Sequence, residues 1–211
     1  MVFCIGAIGF WLVGFGLAFG GVNFTFPAVG GSAEWAFSPT TLGQWGDTLN
    51  VWLLRIDQIG ILGGSGFMLA GAGGVSGILA FFIFQMVFMD TAATIPTGSM
   101  AERLKFGGFV LMGLWVSMFI YPVIANWVWG GGWLANLGRA AGLGNGAVDF
   151  AGSGVVHMVG GSLALVGAIV IGPRIGRFNK DGSANAMPGH NIPMGILGTI
   201  ILFFGWFGFN P

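Results

Sequence analysis

The sequence predicts an all-α membrane protein with five transmembrane helices. Three observations carry this. Of 211 residues, 55% are hydrophobic and only 7% charged, against about 25% charged in a soluble domain. Mean hydropathy is +0.87. The apolar residues gather in five runs, each near the roughly 20 residues needed to span a bilayer. Glycine, at 42 residues, is about three times its usual ~7%. It lies inside the apolar runs without a three-residue period, which excludes collagen and flexible linkers and suits close helix packing in lipid.

The five runs are about 2–20, 75–97, 107–128, 154–172 and 192–210. The first has no basic start and is longer than the apolar core of a signal peptide, so it reads as a spanning helix. Arg103 and Lys105 separate the second and third runs, and Arg174, Arg177 and Lys180 the fourth and fifth. Arg55 and Arg139 lie in the alternate loops. This five-to-two split puts the richer loops in the cytoplasm, Met1 inside and Pro211 outside. The stretch 21–74 is then an outer loop rich in Gly, Trp and Phe, within which Thr48–Ile59 is expected to form a short rim helix. Asn210-Pro211 directly follows an apolar run without a polar tail, so the chain is expected to be a piece of a longer one. The single cysteine, Cys4, excludes an intrachain disulfide, and zero net charge gives no reason to expect nucleic acid.

Two ionisable side chains fall inside the runs, Asp90 and His157. Charged groups there are costly and mark function by default. The plain alternative for His157 is a neutral imidazole bonded to a neighbouring helix; for Asp90 it is a carboxyl satisfied by Thr91, Thr94 or a backbone group. His157 has no carboxylate within reach. Asp149 is eight residues earlier, about 12 Å along a helix. An uncharged imidazole in the interior, facing the helix of Trp206 and Phe209, is therefore expected. Asp149 itself precedes a helix, where a carboxylate caps free N–H groups and also lends negative charge to an outer mouth. Gly160, Ala164, Ala168 and Gly172, at intervals of four, form a small-residue packing face. Phe81, Phe84 and Phe88 share one face of the second helix, Trp129 ends the third, and Trp206 and Phe209 share a face of the fifth. They are either an interfacial belt or a cation site, each ring face attracting a small cation by about 0.5–2 kcal/mol. No catalytic carboxylate pair, metal-ligand spacing, phosphate loop or nucleophile triad is present, so neither an enzyme nor a bound cofactor is expected.

Five ordered motifs then resemble one family: Asp149-Phe-Ala-Gly-Ser-Gly-Val-Val-His157, Trp129-Gly-Gly-Gly132, Gly98-Ser-Met-Ala-Glu-Arg103, His190-Asn-Ile-Pro193 and Gly205-Trp-Phe-Gly-Phe-Asn210. The chain is similar to the ammonium transporter, methylammonium permease and Rhesus protein family, nearer the transporter branch. The resemblance implies an eleven-helix fold of two inverted halves, a homotrimer with one pore per subunit, and a place in the plasma (inner) membrane. It assigns this chain helices two to six. It matches Trp129 and Phe88 to an outer aromatic cation site, supported by Asp149. Phe88 and Phe209 match two stacked pore rings, and His157 matches the first of two pore histidines. The second histidine and the outer-site serine have no counterpart within 1–211. Implied partners are ammonium or ammonia, the bilayer and a cytoplasmic regulatory protein. An ammonium sensor, binding without net transport, is the competing expectation.

Overall fold

The computed structural model describes residues 1–21, 52–56, 59–70, 76–144 and 146–209. Five helices in it are long and apolar enough to cross a membrane: α1 (Val2–Phe19), α2 (Ser76–Met100), α3 (Phe106–Val128), α4 (Ser153–Ile171) and α5 (Ile192–Phe209). The helix α2 runs to Met100, three residues beyond the expected end. Arg103 donates to the Ser99 carbonyl and so satisfies part of the last turn. Wide, π-type turns interrupt α1 at Phe10–Gly14 and α3 at Val116–Ile120, and open α4 at Ser153–Met158.

The core lies where α1 packs on α2 and α3. Phe10 meets Phe82 at 5.9 Å and Tyr121 at 6.2 Å between ring centroids, and Phe15 meets Phe81 at 6.0 Å. Phe81 also touches Phe19 at 5.0 Å. It therefore packs on α1 and leaves the aromatic row expected with Phe84 and Phe88. In lipid, where apolar burial drives little association, such ring packing and close backbone approach hold helices together.

The helix α4 lies against α2 through small residues, and the face in use is Gly160, Ala164 and Gly167. A Cβ at Gly160 would stand 2.6 Å from Ile95 Cδ1 and 3.0 Å from the Ala92 carbonyl. Pro96, inside α2, has no N–H to offer that carbonyl, so the close approach of a glycine there leaves it uncrowded. Ser99 Oγ donates to the Ala164 carbonyl at 3.0 Å, and a Cβ at Gly167 would meet the Met100 side chain. Gly160→Val should therefore separate α2 from α4 and cost about 1–3 kcal/mol, the usual penalty of overpacking. Thermal unfolding of the full-length protein checks it, and an unchanged midpoint would show that the interface yields freely.

The outer stretch brings a correction. Within Thr48–Ile59 no helix forms among the described residues. Trp52–Ile56 is a strand, paired antiparallel with Ile59–Gly63 from Trp52↔Gly63 to Ile56↔Ile59. Residues 48–51 and 57–58 lie outside the described residues. Aromatic and β-branched side chains favour the strand, and the glycines of the second strand let it press close: Gly60 against the Trp52 ring, Gly63 against the backbone of Gly16 and Gly20. The hairpin is tied to the end of α1 nearby by Ser65 Oγ, which donates to the Gly20 carbonyl at 2.7 Å, and to α3 by Trp127 Nε1, which donates to Ile61 O at 3.2 Å.

At the opposite end, the two basic loops meet. Arg103 donates to the Gly172 carbonyl, and Arg174 pairs with Glu102 at 2.7 Å. Residues 173–190 fold back through Phe178 and Ala184, with Asn179, Asp181, Ser183 and Asn185 bonded to one another. The positive-inside rule expects this end in the cytoplasm, so Ser183→Cys should resist impermeant thiol reagents outside intact cells and react in inverted vesicles. Labelling from outside would reverse the orientation.

Candidate functional site: a row of rings ending at His157

The site forms where α2, α3 and α4 converge near the hairpin end. Trp129 follows the last turn of α3, and its Nε1 donates to the Asp149 carbonyl at 2.5 Å. The Asp149 carboxylate accepts three backbone N–H groups: Gly152 at 2.9 Å on Oδ1, and Gly154 at 2.9 Å and Val155 at 2.8 Å on Oδ2. The capping role is thus the one this carboxylate performs. It reaches past Gly152, which has φ of 93°, a left-handed conformation that glycine adopts without strain. A Cβ there would also press on Val156 at 2.7 Å and on the Trp129 ring at 3.1 Å.

From Trp129 the rings run inward. Phe88 is 5.3 Å from Trp129 and 4.7 Å from Phe209, centroid to centroid. Phe84 stands beside Phe88 at 4.8 Å, itself exposed. Phe209 then meets the His157 ring edge-on at 5.8 Å and 87°. The structure therefore brings Trp129, Phe88, Phe209 and His157 into one continuous row. Trp206 lies aside from it and lines an open groove with Ala151, Ser153 and His157.

His157 sits in the wide first turn of α4. Its backbone N–H donates to the Gly152 carbonyl at 3.0 Å, and its Nδ1 lies 3.3 Å from the same oxygen. A carbonyl oxygen only accepts, so a hydrogen bond along this contact is donated by Nδ1–H, the neutral tautomer in which Nε2 keeps a lone pair. His157 faces α5, as expected, but the expected interior position is not met within this chain, where the residue is exposed. Every residue of α5 before Phe209 is exposed, so α5 leaves the groove beside the imidazole open. Asp90 also differs from its expectation. Thr91 turns its hydroxyl to Val87 O at 2.8 Å, and Asp90 Oδ1 is buried without a partner. Sequence reasoning missed Gly152 as the acceptor that orients the histidine. The signal available was a glycine five residues before it, one turn of a π-type helix. Among the described residues no cluster of His, Cys, Asp and Glu could hold a metal ion.

Comparison with known proteins decides the family. The profile described as "Ammonium Transporter Family" matches residues 1–211. The chain belongs to the ammonium transporter family. It is 46% identical over 160 residues to ammonium transporter Amt2 of Archaeoglobus fulgidus, covering 75% of this chain and 34% of that protein. It is 44% identical over 156 residues to ammonium transporter 1 member 3 of Solanum lycopersicum, covering 74% and 34%. A solved structure titled "Sensor Amt Protein" superposes with a TM-score of 0.72 at 34% identity, covering 99% of this chain and 43% of that one. The chain thus spans about a third of the length of these two transporters. Family and helices together make it part of an integral, multi-pass membrane protein, and the relatives are named as transporters rather than enzymes.

Proposed function

We propose that the full-length protein moves ammonium across the plasma (inner) membrane, recruiting the cation at an outer aromatic site and passing ammonia along the histidine. The single observation that carries this reading is the row Trp129–Phe88–Phe209–His157. Ring faces attract a small cation and replace part of its water. The Asp149 carboxylate adds negative charge behind them, spending its oxygens on the α4 N-terminus rather than on the ion. Beyond Phe88 the proposed path runs past apolar rings, where a charge is costly and a neutral molecule is not. Ammonium, an amine-like acid, can hand its proton back to water at the outer mouth and continue as ammonia; potassium has no proton to give and is excluded. The Nε2 lone pair of His157 then accepts a hydrogen bond from ammonia. A homotrimer with one pore per subunit, and a regulatory protein at the basic cytoplasmic loops, complete the proposal.

The test is Trp129→Leu in the full-length protein reconstituted in liposomes. Losing one ring face worth about 0.5–2 kcal/mol should raise the ammonium concentration for half-maximal flux several-fold or weaken exclusion of potassium. Unchanged concentration dependence with unchanged potassium exclusion would overturn the aromatic site. The second reading, a sensor that binds without net flux, is favoured by the fold's match to a protein titled as a sensor. Saturable ammonium binding without flux in the same liposomes would select it.

A further inference from the structure

Ser153 opens α4, and its hydroxyl has no hydrogen-bond partner among the described residues. Hydroxyls in an apolar helix commonly return to a backbone carbonyl three or four residues earlier. Thr91, Thr97, Ser99, Ser117 and Thr199 all do so here. For Ser153 the oxygen four residues back is the Asp149 carbonyl, which accepts from the Trp129 indole instead. Nor does the hydroxyl cap the helix. The N–H groups of Gly152, Gly154 and Val155 go to the Asp149 carboxylate, and those of Val156 and His157 go to the Gly152 carbonyl. Neither structural duty of a serine at a helix start accounts for this hydroxyl.

Its place is set by the same turn that sets His157. The two are four residues apart, close to one full turn in α or π geometry. Ser153 therefore stands on the face of His157, about 6 Å along the axis toward Trp129 and Asp149. Both residues are exposed, and both line one groove of about 450 Å3 with Ala151 and Trp206. Side chains one turn apart have Cβ atoms about 5–6 Å from each other, a gap that one small hydrogen-bonding molecule fills.

The two groups are chemically complementary. In the tautomer that turns Nδ1–H to the Gly152 carbonyl, Nε2 accepts and does not donate. Ammonia that donates an N–H to Nε2 still carries a lone pair, which asks for a donor. A serine hydroxyl donates one hydrogen bond and accepts others, so it supplies what the imidazole lacks. Trp206 brings an indole N–H from α5, but only Ser153 is built into the histidine's own turn.

We propose that Ser153 is a substrate-contacting residue of the conduction path, one turn outward of His157: its O–H donates to the lone pair of the ammonia whose N–H is taken by Nε2. This rests on the transport reading above and adds to it a donor that the row of rings and the histidine do not contain.

The test is ammonium flux in liposomes holding the full-length protein, at equal protein content, with the melting temperature measured alongside. Ser153→Ala should lower the maximal flux about three- to tenfold, the range expected for one hydrogen bond. The half-saturating concentration and the exclusion of potassium should stay as in the parent, because Trp129 and Phe88 are untouched. The melting temperature should also stay, because the hydroxyl bonds nothing in the fold. Ser153→Thr, which keeps a hydroxyl, should retain more flux than Ser153→Ala. Parent-like maximal flux in the alanine variant overturns the proposal, and so does a threonine variant no better than alanine. A loss of flux that comes with a lowered melting temperature makes Ser153 structural and overturns it too. A parent protein without flux overturns the transport reading and this proposal together, whereas a conducting parent matched by Ser153→Ala overturns this proposal alone.

Discussion

His157→Ala in the full-length protein should cut ammonium flux by roughly ten- to a hundredfold while leaving assembly and melting temperature nearly unchanged. The magnitude follows from what the imidazole offers. In the proposed reading Nδ1–H is turned to the Gly152 carbonyl at 3.3 Å, and Nε2 presents an acceptor beside Phe209. Without it, ammonia crosses that level with a polar group unsatisfied, a cost of about 1–3 kcal/mol. Folding should survive because the ring is exposed within this chain and the helix-closing bond to Gly152 O is made by the His157 backbone N–H. Flux in liposomes, alongside thermal unfolding, checks both halves. Wild-type flux would make His157 a packing residue only.

Asp149→Ala should be the most destabilising change at the site, by about 3–5 kcal/mol: three hydrogen bonds to one charged group are lost together, such bonds contribute about 1.5–3 kcal/mol apiece, and water replaces part of each at this half-buried position. The three N–H groups of Gly152, Gly154 and Val155 would be left facing the positive end of α4 without a counter-charge. Trp129 would lose its footing as well, because its indole donates to the carbonyl of the same residue. Asp149→Asn should rescue part of the loss: its amide oxygen can replace Oδ2 and accept from Gly154 and Val155, while its NH2 would face the Gly152 N–H, donor against donor. Thermal unfolding of the purified full-length protein measures this. An alanine variant as stable as the parent would sink the capping argument. In the proposed reading the aspartate serves the outer site without touching the ion: its carboxylate fixes the first turn of α4, which carries His157, and its carbonyl holds Trp129.

Much of this was legible in the residues. A stretch such as Phe106–Val128 has one stable answer in a bilayer, because every backbone N–H and C=O must be satisfied inside the segment. Positions and identities in Trp129-Gly-Gly-Gly132 and Asp149–His157 likewise named residues that the fold brings together at the candidate site. The outer stretch was less legible. Trp52–Ile56 carries no strict alternation, and its strand depends on glycines at 60 and 63 that accept the Trp52 ring and the end of α1. Phe81 could not be told from Phe88 by helical phase, since seven residues are almost two full turns. What separates them is the neighbour each meets: α1 for Phe81, Trp129 and Phe209 for Phe88.

By itself the sequence determined the class, the five spans, the common membrane end of the two basic loops and the family, since hydropathy, charge placement and contiguous motifs are local properties of the chain. Tertiary structure alone decided which rings line up, which backbone oxygen the Nδ1 of His157 meets, and that Asp90 Oδ1 lies toward Gly6 without a hydrogen-bond partner. Those depend on contacts between residues 5 to about 120 positions apart in the chain, and such contacts are set by how helices pack and not by the periodicity of any one of them.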